Sequence, residues 1–178
     1  MNNLKNRILF PLLKRAMAAM PVVVVTGARQ TGKTTLVRDL FAQPGRKYYS
    51  LDYPEIAEQF RTAPETLLRE GALIIDEVQR EPGVLLALKR WIDSGHRTPG
   101  SALLTGSANL ALMDSVGETL AGRAYYLELR PFCPMEWVGQ DNLSVLDGLF
   151  SEKFDATQWP AQQGDWMAWA IAGGYPGA

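Results

Sequence analysis

Apolar positions change their period several times along the chain, and each change marks an element. Leu4, Ile8, Leu12 and Leu13 recur at helical spacing, so residues 4–20 predict an amphipathic helix in which Pro11 makes a bend or a break. Pro21 closes it, and Val22 to Val25 is a β-branched run suited to a strand covered on both faces. A glycine-bounded loop from Gly27 to Gly32 leads into a helix over 33–42, where Leu36, Val37, Leu40 and Phe41 form one stripe, stopped by Pro44 and Gly45. Residues 47–51 predict a second strand. The spacing of Thr62 and Glu65 is that of a capping box, and with Pro64 in the first turn it predicts a helix through Arg69. Residues 72–75 form an apolar strand that ends in Asp76 and Glu77. Pro82 opens a helix with Val84, Leu85, Leu88, Trp91 and Ile92 on one side. A fourth strand over 102–104, a helix over 108–115 and a fifth strand over 124–129 follow, then a proline-broken stretch to Trp137.

Strands that alternate with helices, and that are apolar throughout, predict an α/β fold with a parallel sheet between two helical layers. Ligands in such sheets bind beyond the carboxyl ends of the strands, where Gly27, Asp76 and Thr105 fall. Residues 1–138 read as one domain that includes the N-terminal helix. Residues 139–178 carry Trp159, Trp166 and Trp169 among few other large apolar residues. They are expected to form a helical tail or the start of a truncated C-terminal domain.

With 47% hydrophobic and 21% charged residues, the 178-residue composition excludes a disordered, collagen-like or disulfide-scaffold chain. One cysteine (Cys133) allows no internal disulfide, and one histidine (His96) leaves few ligands for zinc, so a reducing, cytoplasmic setting is expected. The longest apolar run, residues 16–25, is interrupted by Pro21 and is far short of a membrane span. Charge is unevenly spread: residues 1–38 hold seven basic side chains and no acid, although the whole chain has a net charge of −1. That imbalance points to a polyanion partner, either a phosphate group or nucleic acid. Seven charges are few for a nucleic-acid footprint, and a solvated helix face plus one phosphate loop is the favoured reading.

The segment Gly27-Ala28-Arg29-Gln30-Thr31-Gly32-Lys33-Thr34 fits G-x-x-x-x-G-K-[ST] between a strand and a helix. Its glycines permit a tight loop whose amides can close on a phosphate, and the helix N-terminus adds partial positive charge there. Lys33 would reach the β- and γ-phosphates, the Thr34 hydroxyl would ligate Mg²⁺, and Thr35 extends the nucleotide-binding segment. Asp76, 43 residues beyond Lys33 at an apolar strand end, is the second residue expected to hold Mg²⁺, through water. Glu77 would orient and deprotonate an attacking water. A water-activating carboxylate, without the N-K-x-D pattern of GTPases, favours ATP hydrolysis over transfer to a metabolite or GTP switching.

These blocks come in a fixed order with Leu104-Thr-Gly-Ser107, Leu120-Ala-Gly-Arg123, Leu129-Arg-Pro-Phe132 and Glu136. Together they resemble the prokaryotic AAA-type ATP-binding proteins that carry a C-terminal domain of unknown function. The resemblance implies a P-loop NTPase fold of the additional-strand type, with five parallel strands in the order 5-1-4-3-2. It also implies a sensor residue at the fourth strand's end, with Ser107 favoured and Thr105 second. It places an arginine finger at Arg123, acting within the chain or across a homo-oligomer interface, with a structural salt bridge as the alternative. A second domain is expected after Pro176. The leading functional expectation is a Mg²⁺-dependent ATPase that drives or gates a change in an attached or partner domain. The alternatives are a nucleotide-gated interaction module with little turnover and a DNA-associated ATPase. Among lesser features, Tyr48, Tyr49 and Tyr53 read as strand packing or base stacking, and Asp52 as a possible site residue.

Overall fold

In this computed structural model the described residues are 5–40, 45–107, 119–137, 167, 170–171 and 173–176. Helix α1 (Leu9–Ala19) precedes β1 (Val22–Gly27), and a loop leads to the short α2 (Lys33–Thr35), continued by a π-helical turn at Leu36–Leu40. Next come β2 (Lys47–Ser50), α3 (Pro54–Thr62), α4 (Pro64–Leu68) and β3 (Leu73–Asp76). A 3₁₀ turn at Val78–Arg80, α5 (Gly83–Asp93), β4 (Ala102–Ser107), β5 (Ala124–Glu128) and α6 (Pro134–Trp137) complete the described elements. The five strands form one sheet in the order β2-β3-β4-β1-β5, parallel throughout. This is the expected order read from the opposite edge.

Alternation along the strands builds two cores. Val22, Val24, Leu73, Ile75, Ala102 and Leu104 point to one face, where Phe60, Leu68, Leu85 and Leu88 of α3, α4 and α5 cover them. Val23, Val25, Ile74, Leu103 and Leu127 point to the other, against Leu13 and Met17 of α1 and Leu36 and Val37. Because both faces are covered, the central strands are apolar on both faces until their carboxyl ends, where Thr26, Asp76 and Thr105 follow.

Several boundaries differ from expectation. Helix α1 starts at Leu9 rather than residue 4, which puts Pro11 in its first turn, where a missing N–H breaks no helical bond. Helix α3 is not among the predicted elements; Pro54 sets its first turn, and only Ala57 and Phe60 are buried along it. The 33–42 helix keeps its buried stripe at Leu36 and Val37 but widens into a π turn. Its last two residues, the 108–115 helix and the tail tryptophans lie outside the described residues.

The chain divides into two compact units, Leu9–Arg130 and a second made of Met1–Ile8 with Pro131–Ala178. The first contains the sheet and its helices. In the second, the buried pair Arg7–Glu136 (3.1 Å) is completed by N–H bonds from Ile8 (2.8 Å) and Cys133 (3.0 Å) to the same carboxylate. The Arg7 guanidinium lies 4.3 Å from the centroid of the Phe132 ring. A buried carboxylate with this many donors is compensated for its lost hydration, so Glu136 acts as an anchor for its unit.

Candidate functional site

Strand β1 ends at Gly27, and the chain turns at once into the loop that precedes α2. A Cβ at Gly27 would collide with the Leu129 carbonyl oxygen, so only glycine permits this approach. Gly32 takes φ +91°, in the left-handed region, immediately before Lys33. Between them Ala28, Arg29 and Gln30 are exposed, Gln30 with φ 62°, while Thr31 is fully buried and donates to the Ala28 carbonyl at 3.0 Å. Lys33 is 6% exposed, and its ammonium donates to the carbonyls of Gly27 (3.1 Å) and Ala28 (2.9 Å). Burial lowers its pKa. Glu77 and Asp76 oppose that shift and Arg29 adds to it. The loop thus holds a desolvated cation on its own main chain, beside two carboxylates.

Both carboxylates come from the end of β3, with β4 between it and β1. Asp76, 2% exposed, accepts from the Thr34 hydroxyl at 2.8 Å and the Tyr48 hydroxyl at 2.7 Å, both on Oδ2, and from the Thr105 hydroxyl on Oδ1. Burial and the bond to Asp76 push the Tyr48 pKa well above the usual phenol value. The Glu77 N–H donates to Thr105 Oγ1 at 3.1 Å, so Thr105 brackets both acids. Glu77 adopts φ 58°, a left-handed conformation that costs a non-glycine residue on the order of 1 kcal/mol and tends to occur at functional sites. Gln79 then ties Glu77 to β4: its amide donates to Glu77 Oε2, and its Oε1 accepts the Ser107 N–H at 3.3 Å.

The structure therefore brings Gly27, Lys33, Thr34, Asp76, Glu77, Thr105 and Ser107 to one edge of the sheet, with Ser107 paired in register with Gly27. Gln79 and Tyr48 are members of this group that sequence reasoning missed. Tyr48 had been weighed for packing or base stacking. The signal available for Gln79 was its place two residues after Glu77 in the Asp-Glu-Val-Gln run.

Arg123 is not part of the group. It precedes β5, whose first residue Ala124 pairs with Val22 at the start of β1, so it lies at the opposite end of the sheet from Gly27. Five residues of strand separate those levels, about 16 Å. Its guanidinium grips Asp93 with both arms (2.6 and 2.9 Å) and the Ala121 carbonyl (2.8 Å). The within-chain finger is corrected on this ground, and the salt bridge is what the chain shows. Asp52 pairs with Arg80 at 3.0 Å on the surface. Tyr49 bonds Glu70 and meets Phe60 edge-on, and burial with that carboxylate pushes its pKa up to about 12. Of the basic N-terminal third, Arg7 and Lys33 are buried and engaged, which weighs against one continuous exposed basic stripe.

A family model described as "AAA domain" matches residues 19–138. Uncharacterized protein Rv2008c of Mycobacterium tuberculosis and uncharacterized protein Mb2031c of Mycobacterium bovis are each 35% identical to the chain over 118 residues, 66% of its length. The match spans 26% of each of those relatives, about a quarter of their length. Among solved structures, the Walker-type ATPase PABY2304 of Pyrococcus abyssi has a TM-score of 0.49 and 14% identity, over 75% of this chain and 58% of that one. The P-loop NTPase domain of a sigma-54 transport activator from E. coli has a TM-score of 0.45 and 14% identity, over 73% of this chain and all of that one. Among the described residues, no helix is long and apolar enough to cross a membrane.

Proposed function

The chain belongs to the AAA domain family, and from that premise we propose that it binds ATP with Mg²⁺ and hydrolyses it to switch an attached or partner domain. The single observation that carries this reading is the joining of loop and acid: Thr34, at the first turn after the phosphate loop, bonds directly to Asp76 at the end of β3. A hydroxyl and a carboxylate side by side are oxygen donors of the kind a hard divalent cation takes. Mg²⁺ held there would neutralise charge on the phosphate oxygens.

The chain's own residues supply the rest. Gly27 to Gly32 surround the phosphates with main-chain groups, and Lys33 exchanges its two carbonyl acceptors for phosphate oxygens. Glu77, fixed by its backbone and by Gln79, takes the proton of the attacking water. Ser107, at the end of β4 beside Gly27, is the candidate for sensing the terminal phosphate. Phosphate release from MgATP tests this directly. The wild-type chain is expected to turn over ATP, while Glu77→Gln is expected to retain binding and lose on the order of 100-fold or more in rate. A loss under tenfold removes Glu77 as the base.

A second reading, a nucleotide-gated module with little turnover, is favoured by one feature. The Gln79 amide donates to Glu77 Oε2, which favours the ionised carboxylate and lowers its drive to take a proton while that contact holds. Phosphate release that rises only when a partner is added supports the second reading. In either case Arg123, half-buried at the far end of the sheet and bonded to Asp93, would have to leave that carboxylate to serve as a finger for a neighbouring copy.

A further inference from the structure

Asp76 is the last residue of β3, and each strand flanking β3 supplies one hydroxyl to it. From β2, Tyr48 donates to Oδ2 at 2.7 Å, and from β4, Thr105 donates to Oδ1. An ionised carboxylate only accepts, so the direction of both bonds is fixed. With its two oxygens tied to different neighbours, the carboxylate plane cannot turn about its own bond without breaking one of them. The register explains why the β2 residue is a tyrosine. Tyr48 pairs with Ile74, two residues short of Asp76 and on the same face, and only a side chain as long as a phenol spans that rise of about 7 Å. The Tyr48 ring itself packs against the core on that face beside Ile74, so the hydroxyl is aimed by a supported ring.

The geometry points to Tyr48 as a positioning residue that presents Asp76 to the divalent cation accompanying the nucleotide. This rests on the MgATP reading above. The third hydroxyl on Asp76 belongs to Thr34, which shares Oδ2. Thr34 is also an expected cation ligand. Once its oxygen serves the cation, Tyr48 is the remaining donor that restrains Oδ2. Partners that orient metal-ligating carboxylates in this way typically change metal affinity by about 10- to 100-fold when removed.

Tyr48→Phe deletes the hydroxyl and keeps the ring. Calorimetric titration of wild type and variant with ATP in excess EDTA, and again with MgATP, separates the possibilities. The expected result is ATP affinity in EDTA unchanged within about twofold and the gain conferred by Mg²⁺ reduced by about tenfold, with thermal unfolding of the two proteins alike. An unchanged Mg²⁺-dependent gain overturns the inference, as does an equal loss with and without the cation, which marks a structural role alone. A wild-type chain that gains nothing from Mg²⁺ rejects the cation reading itself, and is recognised before any variant is made.

Discussion

At the carboxyl ends of β1, β3 and β4, Lys33, Asp76 and Thr105 are at most 6% exposed; Lys33 is bonded to the loop carbonyls, and Thr105 to Asp76. At the amino ends of β4 and β5, Arg123, Asp93, Arg97 and His96 also make polar contacts, but at the surface. Arg123 grips Asp93, Arg97 donates to the Gly122 carbonyl at 2.7 Å, and His96 stacks on Trp91. The contrast is one of desolvation. Burying charge is unfavourable unless partners compensate, so a buried cation between two carboxylates beside a glycine loop needs a reason that an exposed pair does not. Exposed pairs contribute little and tolerate change. One sheet therefore has a buried polar end, where the proposed site lies, and a surface end of ordinary ion pairs, although the two carry similar residue types.

Substitutions at the two ends should separate accordingly. The largest effect belongs to Lys33→Ala, which removes the buried cation and is expected to weaken nucleotide binding by on the order of 100-fold or more, read by titration. Near-normal binding would break the comparison. Gly27→Ala forces a Cβ into the Leu129 carbonyl and is expected to distort the loop, lowering both nucleotide affinity and melting temperature. Retention of both would mean the loop can shift at no cost. Gln79→Ala frees the Glu77 carboxylate, and a change in kcat of about tenfold or more with nucleotide affinity kept is expected, since small displacements of a reacting group have large kinetic effects. A fall marks Gln79 as an orienting contact, and a rise marks it as a restraint. Arg123→Ala should do least, with nucleotide affinity within about twofold of wild type because the sites are distant. Its effect on turnover sharpens the point: a loss seen only at high protein concentration assigns Arg123 to a neighbouring copy, and no loss at any concentration leaves it to Asp93.

Most of the fold could be read from the chain because the strands are continuous apolar runs whose ends carry glycine, acid or hydroxyl residues. The order of the strands came from resemblance, since periodicity says nothing about which strands are neighbours. Helix α3 escaped because it is short and buries only Ala57 and Phe60, with Ile56 half-buried beside them, so its stripe is three residues long. The convergence of Lys33, Thr34 and Asp76 on one end of the sheet was legible because a glycine-bounded loop after a strand and an acid at a parallel strand's carboxyl end are both marked in the sequence. Tyr48 was not, since its contact depends on β2 lying beside β3 in a register that lets a phenol two residues short reach the carboxylate. For Arg123 the within-chain alternative was not separable in sequence from the salt bridge, because only parallel pairing shows that the start of β5 lies at the far end from Gly27.

The most direct test of the central claim is calorimetric titration of MgATP into the wild-type chain alongside Lys33→Ala. The account predicts one site per chain in the wild type, with binding lost in a variant that remains folded by circular dichroism. Folded wild-type protein that takes up no MgATP, or a Lys33→Ala variant that binds it as well as wild type does, would contradict it.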